Sequence, residues 1–172
     1  MSVCLNSKIT KRGFTIIEAI VAIFVITTGI VGVLALVTQT ISSATYSSNK
    51  LIAAYLAQEG IEIVRNVRDA NWLSDASWGT GLTDCSSVSP CQADYNDQAL
   101  SGYTNSPLNF ETISGYYGYD SGTSTKFKRK ITITSANDPD GNPILNVFVL
   151  VEWQEKDKPQ KVEVRENLYD WK

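Results

Sequence analysis

Apolar and small residues run almost without interruption from Phe14 to Val37. As a helix this stretch would span roughly 36 Å, which is enough to cross a bilayer. Its one charged side chain is Glu18, and the next charge along the chain is Lys50. A lone carboxylate in hydrocarbon costs free energy, so its presence needs a reason. The pattern predicts a membrane-spanning helix that contains one unexplained acidic residue.

The helical pattern continues beyond the membrane-type run. Apolar residues recur at spacings of four and seven, at Ile52, Leu56, Ile63 and Val67. The intervening positions carry polar residues, among them Glu59, Glu62 and Arg65, which we interpret as a solvated face. We expect the helix to end between Asp69 and Asp75, where the periodicity stops.

Residues 71–125 show no lasting period and are rich in Gly, Ser, Asn and Asp, which is typical of surface loops. Their most distinctive part is the run Gly115-Tyr116-Tyr117-Gly118-Tyr119. These aromatic residues could pack on the edge of a sheet or bind a partner, and the sequence leaves both open.

The last third of the chain is predicted to be β. Apolar and polar residues alternate from Phe127 to Thr134, and Ile144–Trp153 is a β-branched and aromatic run. Lys161–Tyr169 carries Val162, Val164 and Leu168 on one face, which predicts a third strand. Short turns separate these segments at 138–142 and 156–159. The expected fold class is α+β, with a long N-terminal helix packed against a C-terminal antiparallel sheet of about three or four strands.

Composition excludes several classes of function. The chain has 15 basic and 18 acidic side chains and no His, which removes the commonest general base and metal ligand. No phosphate-binding glycine loop or nucleophile motif occurs either. We therefore expect no enzymatic activity and no cofactor.

Cys85 and Cys91 lie close together in a Ser-rich loop. This spacing suits one local disulfide in an oxidising compartment, and two free thiols are the alternative. The only other cysteine is Cys4, so a zinc site would lack ligands.

The N-terminal segment, Lys11-Arg12-Gly13-Phe14-Thr15-Ile16-Ile17-Glu18, resembles the prepilin N-terminus of type IV pilins and type II secretion pseudopilins. The resemblance implies that a prepilin peptidase cleaves after Gly13 and that Phe14 is then N-methylated. It also implies that Glu18, the fifth mature residue, pairs with the Phe14 amine of a neighbouring subunit during assembly.

This resemblance divides the chain into five parts. They are a leader (1–13), a transmembrane and assembly half of the helix (14–37), an outer amphipathic half (38–70), a loop-rich region (71–125) and an antiparallel sheet (126–172). Removing the leader takes Lys8, Lys11 and Arg12 away and leaves a formal charge of −6, which argues against general nucleic-acid binding. The basic leader places the N-terminus in the cytoplasm.

The expected function is a structural subunit, a minor pilin or pseudopilin, of a type IV pilus or related filament. Its partners would be the prepilin peptidase, other pilin or pseudopilin subunits, an inner-membrane assembly platform and membrane lipid. It would first reside in the cytoplasmic membrane and then in an extracellular or periplasmic filament. Alternatives are a type II secretion pseudopilin, a DNA-binding competence pilin and a membrane-tethered extracellular binding domain.

For two further sets of residues, a structural interpretation explains the sequence better than a binding site does. Asp138, Asp140 and Asn142 could provide calcium ligands, but a plain turn explains them better because the Gly and Glu spacing of a calcium loop is missing. The second set is Lys126, Lys128 and Lys130, which could contact DNA or another anion. A solvated strand face that discourages aggregation is the simpler interpretation of these lysines.

Overall fold

The computed structural model describes residues 13–170, which form parts of two compact units, Met1–Thr45 and Tyr46–Lys172. One helix, α1, runs from Ile16 to Leu73. Its residues up to Thr45 make up most of the described part of the first unit. Its remaining residues are the first element of the second unit. The expected long N-terminal helix is confirmed, and it ends inside the predicted interval.

Eight strands follow the helix. They are β1 (Cys91–Gln92), β2 (Ser101–Gly102), β3 (Asn109–Phe110), β4 (Tyr117–Gly118), β5 (Thr123–Ser124), β6 (Lys128–Asn137), β7 (Pro143–Glu155) and β8 (Lys158–Tyr169). A five-stranded sheet has the order β2-β1-β6-β7-β8, and a three-stranded sheet has the order β4-β3-β5. Every pairing is antiparallel. The α+β fold class is confirmed.

The three long strands form the expected meander with β7 in the middle. The turn between β6 and β7 contains Gly141 at a φ of 87°, a left-handed conformation that favours glycine. The turn between β7 and β8 places Lys156 and Asp157 at φ values of 49° and 62°. Positive φ at both central residues is the geometry of a tight two-residue hairpin.

The region expected to be loop supplies the remaining strands, which the sequence did not reveal. Cys91 of β1 pairs with Ile131 of β6, and the Ile133 amide donates a hydrogen bond to the Cys85 carbonyl at 2.5 Å. The segment around the two cysteines therefore covers the outer edge of β6. Strands of two residues are too short to show a period of two, which is why the pattern did not predict them.

The core of the second unit lies between α1 and one face of the five-stranded sheet. The predicted helix residues Leu56, Ile63 and Val67 are buried, and Ile52 packs at the margin. They meet the inward side chains of β6 and β7, which are Ile131, Ile133, Val147, Val149, Val151 and Trp153. At Gly60 the approach is so close that a Cβ atom would lie 2.7 Å from Cγ1 of Val149.

A buried arginine bridges three segments of this core. The Arg129 side chain has no solvent exposure, and its guanidinium donates to the carbonyls of Leu56 at 3.2 Å and Ala93 at 2.7 Å. Its Nη1 also lies 3.3 Å from Oε1 of Glu59. The interpretation of Glu59 as part of a solvated face was therefore wrong, because this carboxylate turns toward the buried cation. Glu62, in contrast, is exposed and pairs with Arg65.

Tyr119 packs beside this arginine. Its hydroxyl donates to the Arg129 carbonyl at 3.3 Å, and burial raises the pKa of Tyr119 to about 12, with the Arg129 charge opposing the rise. Burial also raises the pKa values of Tyr103 and Tyr117. The folded chain therefore holds these phenols in their protonated form at alkaline pH.

We expect Gly60→Ala to destabilise the second unit by about 1–3 kcal/mol, because the added methyl collides with Val149. Helix propensity alone predicts the opposite sign, a gain of about 1 kcal/mol. Urea unfolding of the Tyr46–Lys172 fragment would measure the change, with the exposed Gln58→Ala as the control. An unchanged or raised midpoint in Gly60→Ala would show that α1 does not lie this close to the sheet.

We also expect stability to fall as the pH rises from about 10 to about 12. In this window the unfolded Tyr119 loses its proton while the folded one keeps it, so the unfolded state gains. For Tyr119 the whole loss is roughly 3 kcal/mol, because its pKa rises by about two units and each unit corresponds to about 1.4 kcal/mol. Urea unfolding at pH 9 and pH 11.5 should show a smaller difference for Tyr119→Phe. Equal differences in the two proteins would contradict the assignment.

Candidate functional site on the N-terminal part of the helix

The expected cleavage junction lies just before α1. Gly13, Phe14 and Thr15 precede the first helical residue, and the Phe14 side chain is 74% exposed. Peptide bonds outside regular structure are the ones that proteases reach most readily. The rest of the expected leader, including Lys8, Lys11, Arg12 and Cys4, lies outside the described residues.

Thr15 caps the helix. The Glu18 amide donates to Oγ1 of Thr15 at 3.3 Å, and the Ala19 amide donates to the Thr15 carbonyl at 3.2 Å. The spacing Thr15-x-x-Glu18 is that of a capping box, and an acidic residue in the first turn also complements the helix dipole. Sequence reasoning missed this pattern although it was readable. The cap bond uses the Glu18 amide, and the carboxylate in the first turn complements the helix dipole without a second chain.

The N-terminal part of α1 exposes its apolar side chains. From Ile16 to Ile41 the large ones are between 47% and 82% exposed. An 18-residue window has a mean hydropathy of 2.8, and none of it is buried. The core helix of a soluble protein is mostly buried, so this segment differs from one. By length and composition the helix can cross a membrane.

The hydroxyl groups in this segment are satisfied within the helix. The Oγ1 atoms of Thr27 and Thr28 donate to the carbonyl of Phe24 at 3.0 and 2.9 Å, and Thr40 donates to Leu36 at 2.8 Å. A polar group that bonds to its own backbone can enter an apolar environment at little cost. The threonines therefore do not oppose burial in lipid or against another helix.

A shallow groove of about 340 Å³ surrounds Gly29 on this surface, lined by Val25, Ile26, Gly29, Ile30, Val33 and Leu34. The helix continues without a break through Gly29 and Gly32, and a Cβ at either position would meet nothing within 4 Å. The absence of a side chain at both glycines leaves open space in which a second helix could pack closely.

Cys85 and Cys91 are joined in a disulfide, which closes a short loop at the edge of β6. The three candidate lysines lie on or beside β6. Lys126 pairs with Glu155 at 2.9 Å and, through this hydrogen bond, lowers the pKa of Glu155. Lys128 lies opposite Glu152 in the strand register. Carboxylates therefore offset part of the positive charge that a DNA contact would need.

The Asp138–Asn142 segment is a compact turn. The Asp138 carboxylate accepts hydrogen bonds from the amides of Asp140 and Asn142 at 3.0 and 2.8 Å and from Nδ2 of Asn142 at 3.0 Å. These donors, the Asn142 side chain first, lower the pKa of Asp138. Among residues 13–170, no three His, Cys, Asp or Glu side chains are grouped to hold a metal ion. The hydrogen bonds of the turn account for Asp138 and Asn142.

No protein-family model, curated protein or solved structure matches the chain, so the interpretation of its function depends on these residues and their geometry.

Proposed function

We propose that the chain is a structural subunit of a type IV pilus-like filament, a minor pilin or a pseudopilin. It is made as a membrane precursor, cleaved after Gly13 and N-methylated at Phe14. The observation that carries the proposal is the exposed apolar N-terminal part of α1, whose first turn holds Glu18 shortly after the Arg12-Gly13-Phe14 junction.

The exposed apolar surface of α1 supports the proposal because it suits burial first in lipid and then among other helices. Side chains that are more than 47% exposed over many turns must be covered, first by lipid and then by the helices of neighbouring subunits. The groove at Gly29 offers such a neighbour a place for its own side chains. A secretory signal explains the hydropathy less well, because its apolar region is about 7–15 residues long.

Glu18 connects processing to assembly. Cleavage creates a new amine on Phe14, four residues before Glu18. Inside a bundle of apolar helices each of these charges would be costly alone, and pairing between neighbours removes much of that cost. The Thr15 cap stabilises the helix end whether or not the neighbour is present.

The partners of the proposed subunit are the prepilin peptidase, other pilin or pseudopilin subunits, the inner-membrane assembly platform and lipid. It begins in the cytoplasmic membrane with its N-terminus inside, and its second unit faces the periplasm or the exterior. A type II secretion pseudopilin would use the same residues in the same roles. A DNA-binding competence pilin is not adopted, since Lys126 pairs with Glu155.

We expect Gly13→Val to block processing, because a β-branched side chain does not fit a peptidase site shaped for glycine. Coexpression with a prepilin peptidase should shorten the native chain by 13 residues, leaving N-methylated Phe14, as mass spectrometry would show. Gly32→Val is the matched control and should be cleaved normally. A mature N-terminus near Thr45 would identify a signal peptide instead and end the proposal.

We expect Glu18→Ala to insert and be cleaved normally but to enter filaments far less than the native chain. Incorporation is measured by immunoblotting of sheared filaments. Thr15→Ala is the control for a weakened helix start, since it removes the cap acceptor and keeps the carboxylate. Normal incorporation of Glu18→Ala, or an equal loss in Thr15→Ala, would leave the carboxylate without a role in pairing.

A further inference from the structure

Charge is strongly segregated in the second unit. The 57 residues from Asp69 to Thr125 contain seven carboxylates and neither Lys nor Arg. The basic residues of this unit lie in the helix before this region and in the part of the chain that follows it. A single chain therefore presents separate surfaces of opposite charge.

Part of the acidic region forms what we call the acidic tyrosine surface, composed of Tyr95, Asp97, Glu111, Tyr116 and Asp120. The rings of Tyr95 and Tyr116 stack with centroids 4.6 Å apart and are 41% and 55% exposed. Glu111 and Asp120 line a small cavity beside the two rings, and Asp97 lies in a groove next to Tyr95.

The outer sheet face is the side of β6, β7 and β8 that points away from α1. It contains Lys128, Lys130, Phe148, Leu150, Glu152, Lys161, Glu163 and Arg165. Arg165 pairs with Glu163 on this face and Lys128 lies opposite Glu152, so its four basic and two acidic side chains leave a net charge of +2. Half-buried Phe148 and Leu150 lie at its centre, and the Arg165 guanidinium lies over the Phe148 ring at 5.1 Å.

The two surfaces lie on opposite layers of the unit. The groove next to Tyr95 is also lined by Asn66, Val67 and Ala70 of α1, so the acidic tyrosine surface adjoins the helix layer. The outer sheet face belongs to the other layer, because the alternate residues of β7, such as Val149, pack in the core beneath α1. One copy can therefore use both surfaces at once.

We propose that the outer sheet face of one copy binds the acidic tyrosine surface of a second copy. Opposite charges, an apolar centre, and exposed Tyr and Arg side chains are the features that interfaces favour. Because the two surfaces lie on opposite layers, a two-fold dimer through either one would place it against itself. A head-to-tail contact leaves one surface of each kind free at its ends, so in the proposed filament it can repeat from copy to copy.

This inference rests on the proposed filament function. It identifies the surfaces through which the second units of neighbouring subunits would meet. It does not involve Glu18 or the groove at Gly29. The two proposals therefore predict losses in different variants, and each can fail while the other stands.

The test is zero-length carbodiimide cross-linking of the full chain in detergent, which joins lysines to carboxylates that touch. Copies labelled with ¹⁵N are mixed with unlabelled copies, and the linked peptides are identified by mass spectrometry. We expect mixed-isotope peptides that join Lys128 or Lys130 to Glu111 or Asp120. The Lys126–Glu155 pair is the internal reference, because it is intramolecular and should link equal isotopes only.

Charge reversal tests the specificity of the contact. Lys130→Glu and Asp120→Lys should each lower the mixed-isotope yield several-fold, and the doubly substituted chain should recover it through the exchanged pair. Lys158→Glu and Asp140→Lys make the same charge changes at exposed positions outside the two surfaces and should leave the yield unchanged. Raising the salt concentration should also lower the yield, since exposed charges are screened.

Three results would overturn the proposal: no mixed-isotope peptide between the two surfaces, links that join one surface to itself, or a yield that Lys130→Glu does not lower. Glu18→Ala should give the same cross-links as the native chain. If Glu18→Ala also enters filaments normally, the proposed pairing of Glu18 falls while the contact between the second units stands.

Discussion

The second unit depends on how closely α1 can approach the five-stranded sheet. Gly60 has no side chain, and a Cβ there would lie 2.7 Å from Cγ1 of Val149. Ala53 and Ala57, which are fully buried, keep the same helix face narrow. The short separation allows the Arg129 guanidinium to reach the Leu56 carbonyl on the helix. A bulkier face would leave this buried cation without that acceptor, and an unpaired buried charge is strongly destabilising.

Arg129 also fixes part of the segment that connects α1 to β6. Its second carbonyl partner belongs to Ala93, just after β1, and its own carbonyl accepts from Tyr119. Together with the disulfide between Cys85 and Cys91, these contacts hold a segment of little regular structure against β6. The edge of β6 is thereby covered, which removes a site at which another strand could pair.

Similar aliphatic side chains meet opposite environments in the two parts of α1. Ile61 and Val64 are buried under the sheet, whereas Ile17 and Val25 are 69% and 60% exposed. The exposed part obtains its order locally, from the Thr15 cap and from hydroxyl groups bonded to the backbone, and so needs no protein core of its own. By length and composition it can cross a membrane, and in the proposed filament it would exchange lipid for the helices of other subunits.

The sequence by itself determined the elements whose pattern is periodic and long. The apolar run after Gly13, the helical spacing through Val67 and the alternation around Ile131 predicted α1 and the three-stranded meander. The resemblance to prepilins, which implies roles for Phe14 and Glu18, was also readable from the sequence because its motif is local. These features depend on nearest neighbours along the chain, and so they can be read from it.

Only the tertiary structure decided what depends on distant partners. The five two-residue strands exist because other segments lie beside them, and their own residues show no β pattern. Glu59 was expected in solvent, but the fold brings Arg129, which lies 70 positions further along the chain, within 3.3 Å of its carboxylate. The tyrosines of one short run likewise divide, since Tyr119 packs on the core and Tyr116 stacks at the surface on Tyr95. Packing between segments distant in sequence set these contacts, and a linear pattern carries no record of it.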